Sequence, residues 1–138
     1  MKFNNHQFGE FEYDAEHVLQ FPDGIIGFEG NKKFIVVNDE DSEPFRWLVS
    51  LEDSELSFPM LDPALLNAEY ENVVPNGKGA TIFVVASLHD DPARSSVNLR
   101  SPIVIDPASR TGRQVILDED QFSVQYPLFA AQVQTEGV

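Results

Sequence analysis

Val97-Asn98-Leu99-Arg100-Ser101-Pro102-Ile103-Val104-Ile105-Asp106, then residues 107–112, then Arg113-Gln114-Val115-Ile116-Leu117, decide the fold class. The stretch reads as a short strand into Leu99, a bend at Ser101-Pro102, a buried strand over 103–105, a polar turn and a returning strand over 115–117. Both apolar runs are short and rich in β-branched residues, which favours strand over helix. Pro107 and Gly112 bracket a turn of the kind that reverses a chain. Pro102 has no N–H to give a ladder and is expected to open its strand.

Similar signals recur on both sides. Phe11 and Tyr13 alternate with acids and predict a half-buried strand over 8–13. Further strands are expected at 18–21, 34–37, 45–51, 56–61, 80–88 and 122–126. Strand 45–51 is apolar on both faces and is expected at the centre of its sheet. Pro22-Asp23-Gly24 closes the second of these strands as a turn, with Gly24 at positive φ. Asp62-Pro63 starts one short helical turn, because Asp caps it and proline suits its first position. About nine short strands in 138 residues predict an all-β, mainly antiparallel single domain, barrel or sandwich, with at most one or two short helical turns. Its core is expected to include Phe28, Trp47, Val84, Ile103, Ile105 and Ile116. The tail over 127–138 has no pattern and is expected to be partly mobile.

Composition narrows the function. The chain has no cysteine, so it holds neither disulfides nor thiolate metal sites. No apolar run is long enough to span a membrane, and the N-terminus lacks the apolar stretch of a signal peptide, so a cytoplasmic location is expected. The formal net charge is −14, and residues 1–70 carry 15 Asp/Glu against 4 Lys/Arg. Such a field repels nucleic acid and attracts a basic protein. The candidate acids are Glu29, the group Asp39, Glu40, Asp41 and Glu43, and the group Glu52, Asp53 and Glu55. Keeping the protein soluble is the plainer role for the same charge.

Catalytic signatures are absent from the sequence. His6, His17 and His89 show no metal-ligand spacing, and no serine sits in a nucleophile elbow. No catalytic residue, metal or cofactor is expected. His89-Asp90-Asp91 reads as a polar turn more readily than as a general base. A small-molecule-binding β-barrel, or a barrel enzyme using His89 and nearby carboxylates, is the alternative, and it requires a ligand-sized cavity.

Three stretches together resemble the flagellar assembly factor FliW family. They are Phe21-Pro22-Asp23-Gly24-Ile25-Ile26-Gly27-Phe28-Glu29; Pro44 to Leu51 followed by Phe58 and Asp62-Pro63; and Val97 to Ile105 closing with Arg113 to Leu117. Asp23, Gly24, Gly27, Phe28, Asp62, Pro63, Asn98 and Gln114 are the motif positions expected to serve structure. Val49 and Asp106 depart from the pattern, where Gln and Asn are expected, and residues 71–79 look shorter than the family's helix-bearing connection. The resemblance implies a squashed, β-barrel-like fold over about 18–126 and a non-enzymatic regulator. Members of the family bind the RNA-binding regulator CsrA, relieve its repression of flagellin mRNA translation, and bind flagellin in a partner switch. A chaperone acting on flagellin alone is a narrower form of the same reading. Flagellin's apolar segments are expected to need an apolar groove, with Leu99 and Pro102 at its rim.

Overall fold

A computed structural model describes residues 1–66, 79–88, 90–117 and 125–128. Ten strands follow one another along the chain: β1 (Lys2–Asn5), β2 (Gly9–Glu12), β3 (Leu19–Gln20), β4 (Lys33–Asn38), β5 (Arg46–Ser50), β6 (Ser57–Leu61), β7 (Thr81–Ser87), β8 (Ser96–Asp106), β9 (Thr111–Gln114) and β10 (Tyr126–Pro127). β1 and β2 form a separate antiparallel ribbon. The remaining order is β10-β8-β7-β6-β5-β4-β3-β9, and β9 returns to pair with β8. The sheet therefore closes on itself as a seven-stranded barrel, with β10 attached outside the ring. Every neighbouring pair is antiparallel except β3–β9, which meet in parallel at Gln20 and Thr111.

Helical structure among the described residues amounts to four short 3-10 turns, at Ala15–His17, Glu40–Ser42, Pro63–Leu66 and Pro92–Arg94. That exceeds the expected one or two. An Asp precedes each turn, and in three of them its side chain accepts the backbone N–H two residues on: Asp39 from Asp41, Asp62 from Ala64, Asp91 from Ala93. Asp is a strong cap even where the following residues are too few for an α-helix.

β8 is one strand of eleven residues rather than two. The expected bend survives inside it as a bulge. Phe83 of β7 faces Ile103, but Val85 faces Asn98, so residues 99–102 oppose Val84 alone. Pro102 sits in that bulge and not at a strand start, where the interrupted ladder tolerates its missing N–H. The returning strand is also earlier than expected. β9 ends at Gln114, and residues 115–117 run on beside β8, with Val115 N donating to Pro102 O and Leu117 N to Arg100 O. Gly112 is set by packing. A Cβ there would lie 2.2 Å from the Phe21 ring.

Two apolar clusters share β6, β7 and β8. Phe21, Phe34, Leu48, Met60 and Ile103 fill the barrel interior and are fully buried. Val84, Ala86, Val97, Leu99 and Val104 face the other way, under Leu117 and Leu128. Alternation along β8 sends Ile103 and Ile105 inward and Val104 outward, so this strand is apolar on both faces. β5 is central, between β4 and β6. Pro59 in β6 lies opposite Trp47. Ser50 N donates to Leu56 O, so by alternation the Trp47–Pro59 pair exchanges no ladder bond and the proline is tolerated.

Three expected core residues are placed differently. Phe28 is 42% exposed, because it closes a tight turn in which its N–H donates to Ile25 O, and Ile25 is the residue that enters the core. Ile116 is 63% exposed, because alternation past β9 turns Leu117 inward instead. Trp47 is half-buried on the outer face, edge-on to Phe8 at 5.6 Å. Val84, Ile103 and Ile105 are buried as expected. The 8–13 strand is β2, and its partner β1 had no counterpart among the expected strands. His89, most of the 71–79 connection, the acids 118–120, and 129–138 of the tail lie outside the described residues.

Candidate partner-binding site

The three resembling stretches, far apart in the chain, meet at one groove of about 620 Å³. Ile25 and Ile26 come from the first stretch, Phe58 from the second, Asn98 and Gln114 from the third. The tight turn that presents Ile26 is built on glycine. Gly24 has φ +68°, and a Cβ there would stand 2.7 Å from Glu29 Cα. Gly27 has φ +89° with open space around it. Asp23 lies exposed beside this turn, and Phe28 rests edge-on to Phe58 at 5.3 Å.

Asn98 and Gln114 spend their side chains on the backbone. Asn98 Oδ1 accepts Arg100 N at 3.0 Å and Ser101 N at 3.1 Å, shaping the bulge. Gln114 Oε1 accepts Ile26 N at 2.9 Å, while its Nε2 donates to Ser101 O at 3.2 Å. One glutamine thus ties the glycine turn, 88 residues away from it in sequence, to the bulge. Each bond satisfies a backbone group that the bulge or turn removes from a ladder. Asp62 and Pro63 are likewise structural, as the cap and the buried first residue of a 3-10 turn.

Leu99 and Pro102 are buried, contrary to the exposed rim expected of them. Both belong to the bulge, where Leu99 packs in the outer cluster with Leu117 and Leu128 and Pro102 is fully buried. The exposed apolar residues in this part of the molecule are Ile26 and Phe28. Arg94 is the charged side chain among the described groove residues, and Ser87, Ser95, Ser96 and Gln125 supply hydroxyls and an amide.

The expected acidic residues separate into two sets. Glu29 accepts Gly27 N, and backbone N–H groups hold its carboxyl below the usual glutamate range. Glu52 accepts the N–H groups of Lys32 and Lys33, which hold it low in the same way. Asp53 accepts Glu55 N at 3.0 Å, and Asp39 accepts Asp41 N at 3.1 Å. These four are turn-builders. Glu40 and Asp41 are exposed, and among the described residues their carboxylates have no hydrogen-bond or ionic partner. Glu43 and Glu55 are exposed as well.

Glu40 and Asp41 rim a second groove, of about 760 Å³, between the β1–β2 ribbon and the turn after β4. Phe8, Phe11, Tyr13, Ile35 and Val37 also line it, with Glu12 and Asp39. Trp47 fixes this arrangement. Its Nε1 donates to Ser42 Oγ at 2.8 Å, which anchors the acidic turn to β5, and its ring supports Phe8. Sequence reasoning missed the groove because β1 had no expected strand. The alternation Lys2-Phe3-Asn4 opposite Phe11 was the available signal.

The convergence of histidine and carboxylates among the described residues is Asp14, Glu16 and His17, all exposed, with ligand atoms within 4.8 Å of one another. It forms the cap of the first 3-10 turn. No helix among the described residues is long and apolar enough to cross a membrane.

Residues 2–128 match the family model described as FliW protein. The flagellar assembly factor FliW of Bdellovibrio bacteriovorus is 31% identical over 139 residues, covering 94% of this chain and 79% of that protein. The protein of the same name from Caldicellulosiruptor saccharolyticus is 33% identical over 132 residues, covering 88% and 86%. That of Thermosipho africanus is 34% identical over 139 residues, covering 93% and 95%. A crystal structure of the flagellar assembly factor FliW superposes with a TM-score of 0.83 at 25% identity, over 93% of this chain and 96% of that one.

Proposed function

This chain belongs to the FliW family, and on that premise we propose that it binds a CsrA-type RNA-binding regulator, lifts that regulator's repression of flagellin mRNA translation, and exchanges it for flagellin. As a family member it is a flagellar assembly factor and not an enzyme. The observation that carries the reading is the convergence of the three family stretches on one groove, with side chains from all of them at its surface. The barrel interior is filled by Phe21, Phe34, Leu48, Met60 and Ile103, which weighs against a ligand-binding barrel.

The chemistry of the two grooves suits two kinds of partner. A basic RNA binder is drawn to the acidic side of the molecule and gains chiefly in association rate. The apolar segments of free flagellin suit the Ile26–Phe28–Phe58 side, whose groove is lined by no carboxylate among the described residues. Direct contact with nucleic acid is disfavoured by a net charge of −14, and the work of such a protein is cytoplasmic.

Titrating flagellin into a preformed complex with the CsrA-type regulator tests the switch. Release of the regulator as flagellin binds is the expected result, read by size-exclusion chromatography. A stable ternary complex refutes the exchange, and failure to form the first complex refutes the regulator as partner.

A further inference from the structure

We propose that the groove between the β1–β2 ribbon and the turn after β4 is the docking site for a basic, amphipathic segment of a partner protein. Its apolar side chains rest against Phe11, Tyr13, Ile35 and Val37, and its lysines or arginines face Glu12, Glu40 and Asp41. The proposal rests on the reading above that the basic partner is a CsrA-type regulator, and it assigns that partner one groove.

Charge selects the occupant. The groove is lined by four carboxylates, from Glu12, Asp39, Glu40 and Asp41, against one histidine, His17, and no lysine or arginine among the described residues. Glu12, Glu40 and Asp41 are exposed, and no described group pairs with their carboxylates. Their charge is therefore available to an incoming cation. Among the other candidate acids Glu43 and Glu55 are exposed and have no described partner either, but neither lines a groove with aromatic rings, and three more are already engaged. Glu29 and Glu52 accept backbone N–H groups, and Asp53 caps its own turn, so a partner would compete with bonds already made.

Shape and apolarity narrow the occupant further. An acidic surface alone would accept any polycation. This groove adds half-buried aromatic rings, Phe8, Phe11 and Tyr13, with Phe11–Tyr13 at 6.3 Å, and Ile35 and Val37 of β4 on the barrel side. Aromatic faces take both aliphatic stems and guanidinium or ammonium groups. The Trp47–Ser42 bond holds the acidic turn in place before any partner arrives, which limits the ordering cost of binding. A segment with alternating cationic and apolar residues meets both requirements.

The test uses the full chain and a CsrA-type regulator as probe. In 15N-labelled protein, shifts on adding the regulator are expected at residues 8–13 and 35–41 and not around 94–98. Glu40→Lys with Asp41→Lys, exposed changes that leave the turn's cap intact, should slow association by about tenfold at low salt. Asp53→Lys with Glu55→Lys should slow it by less than about threefold. The slowing should fade as salt rises toward physiological strength, where the Debye length is about 8 Å. Val37→Thr, near-isosteric and on a strand of the barrel, should raise the dissociation rate without altering association. Binding with shifts centred elsewhere, equal effects of the two double reversals, or an unchanged dissociation rate for Val37→Thr overturns the groove and leaves the regulator as partner. An absence of binding overturns both.

Discussion

The groove under the glycine turn and the groove under the ribbon differ in what their polar side chains are doing. In the first, Asn98 and Gln114 hold the backbone of residues 100–101 and 26, and the residual charge is Arg94. In the second, three exposed carboxylates have no described partner, and the polar groups engaged in holding the site are the Trp47 indole and the Asp39 carboxylate. The first region is a place where chain geometry consumes side chains. The second is a place where geometry is settled by packing and the charges are left over. A family motif can therefore mark a structural knot, while contact chemistry lies on residues with no fixed pattern.

The strongest test of this contrast is to break the knot at its glycines. Gly24→Val should cost roughly 3 kcal/mol or more, because a positive φ and a backbone contact oppose the side chain together. Gly27→Ala meets the same φ penalty in open space and should cost about 1 kcal/mol. Urea unfolding of both variants checks this. Equal losses would mean that strain alone governs the turn.

Asn98→Ala and Gln114→Ala come next. Each strands backbone groups at the bulge or the turn, at about 1–3 kcal/mol per variant. The two share Ser101, since Asn98 takes its N–H and Gln114 its carbonyl. A double-mutant cycle should show that the losses are not additive. The association rate with the regulator should stay within about twofold of wild type, since neither residue faces the acidic groove. A large fall in that rate with little loss of stability would transfer the binding role to the motif.

The strands were legible where periodicity and burial agree. β4, β5 and β7 follow their apolar runs closely, and the central place of β5 follows from apolar residues on both faces. The bend at Ser101-Pro102 was legible as a proline signal, but its form as a bulge was not. It depends on the Asn98 side-chain oxygen, which turns back on residues 100 and 101, and on the tertiary bonds of Gln114 to Ser101 and Ile26. Phe28 was misplaced for a related reason. Hydrophobicity marks a residue as able to be buried, whereas a four-residue turn fixes which of Ile25 and Phe28 points inward. For the site, the sequence located the acids but could not sort capping carboxylates from unpartnered ones, because Asp39 and Asp41 carry the same side chain and only the folded turn makes Asp39 the acceptor of a backbone N–H.

The smallest expected effect concerns a carboxylate on the structural side of that division. Glu52 accepts the N–H groups of Lys32 and Lys33 in its ionised form, so its folded-state pKa is lowered. A group with a depressed folded pKa contributes stability above its unfolded pKa of about 4.3 and loses it as pH falls through the lower folded value. The contribution is small because the side chain is exposed and water screens it. Glu52→Gln keeps an oxygen acceptor for both N–H groups but removes the charge. The variant should melt slightly below wild type at pH 7, and the two curves should converge as pH falls from about 5 toward 3.5. Thermal melts across that range give the answer. A gap that stays constant with pH would mean that the carboxylate acts through shape and not charge. A capping acid such as Glu52 would then differ from an unpartnered one such as Glu40 in packing rather than electrostatics.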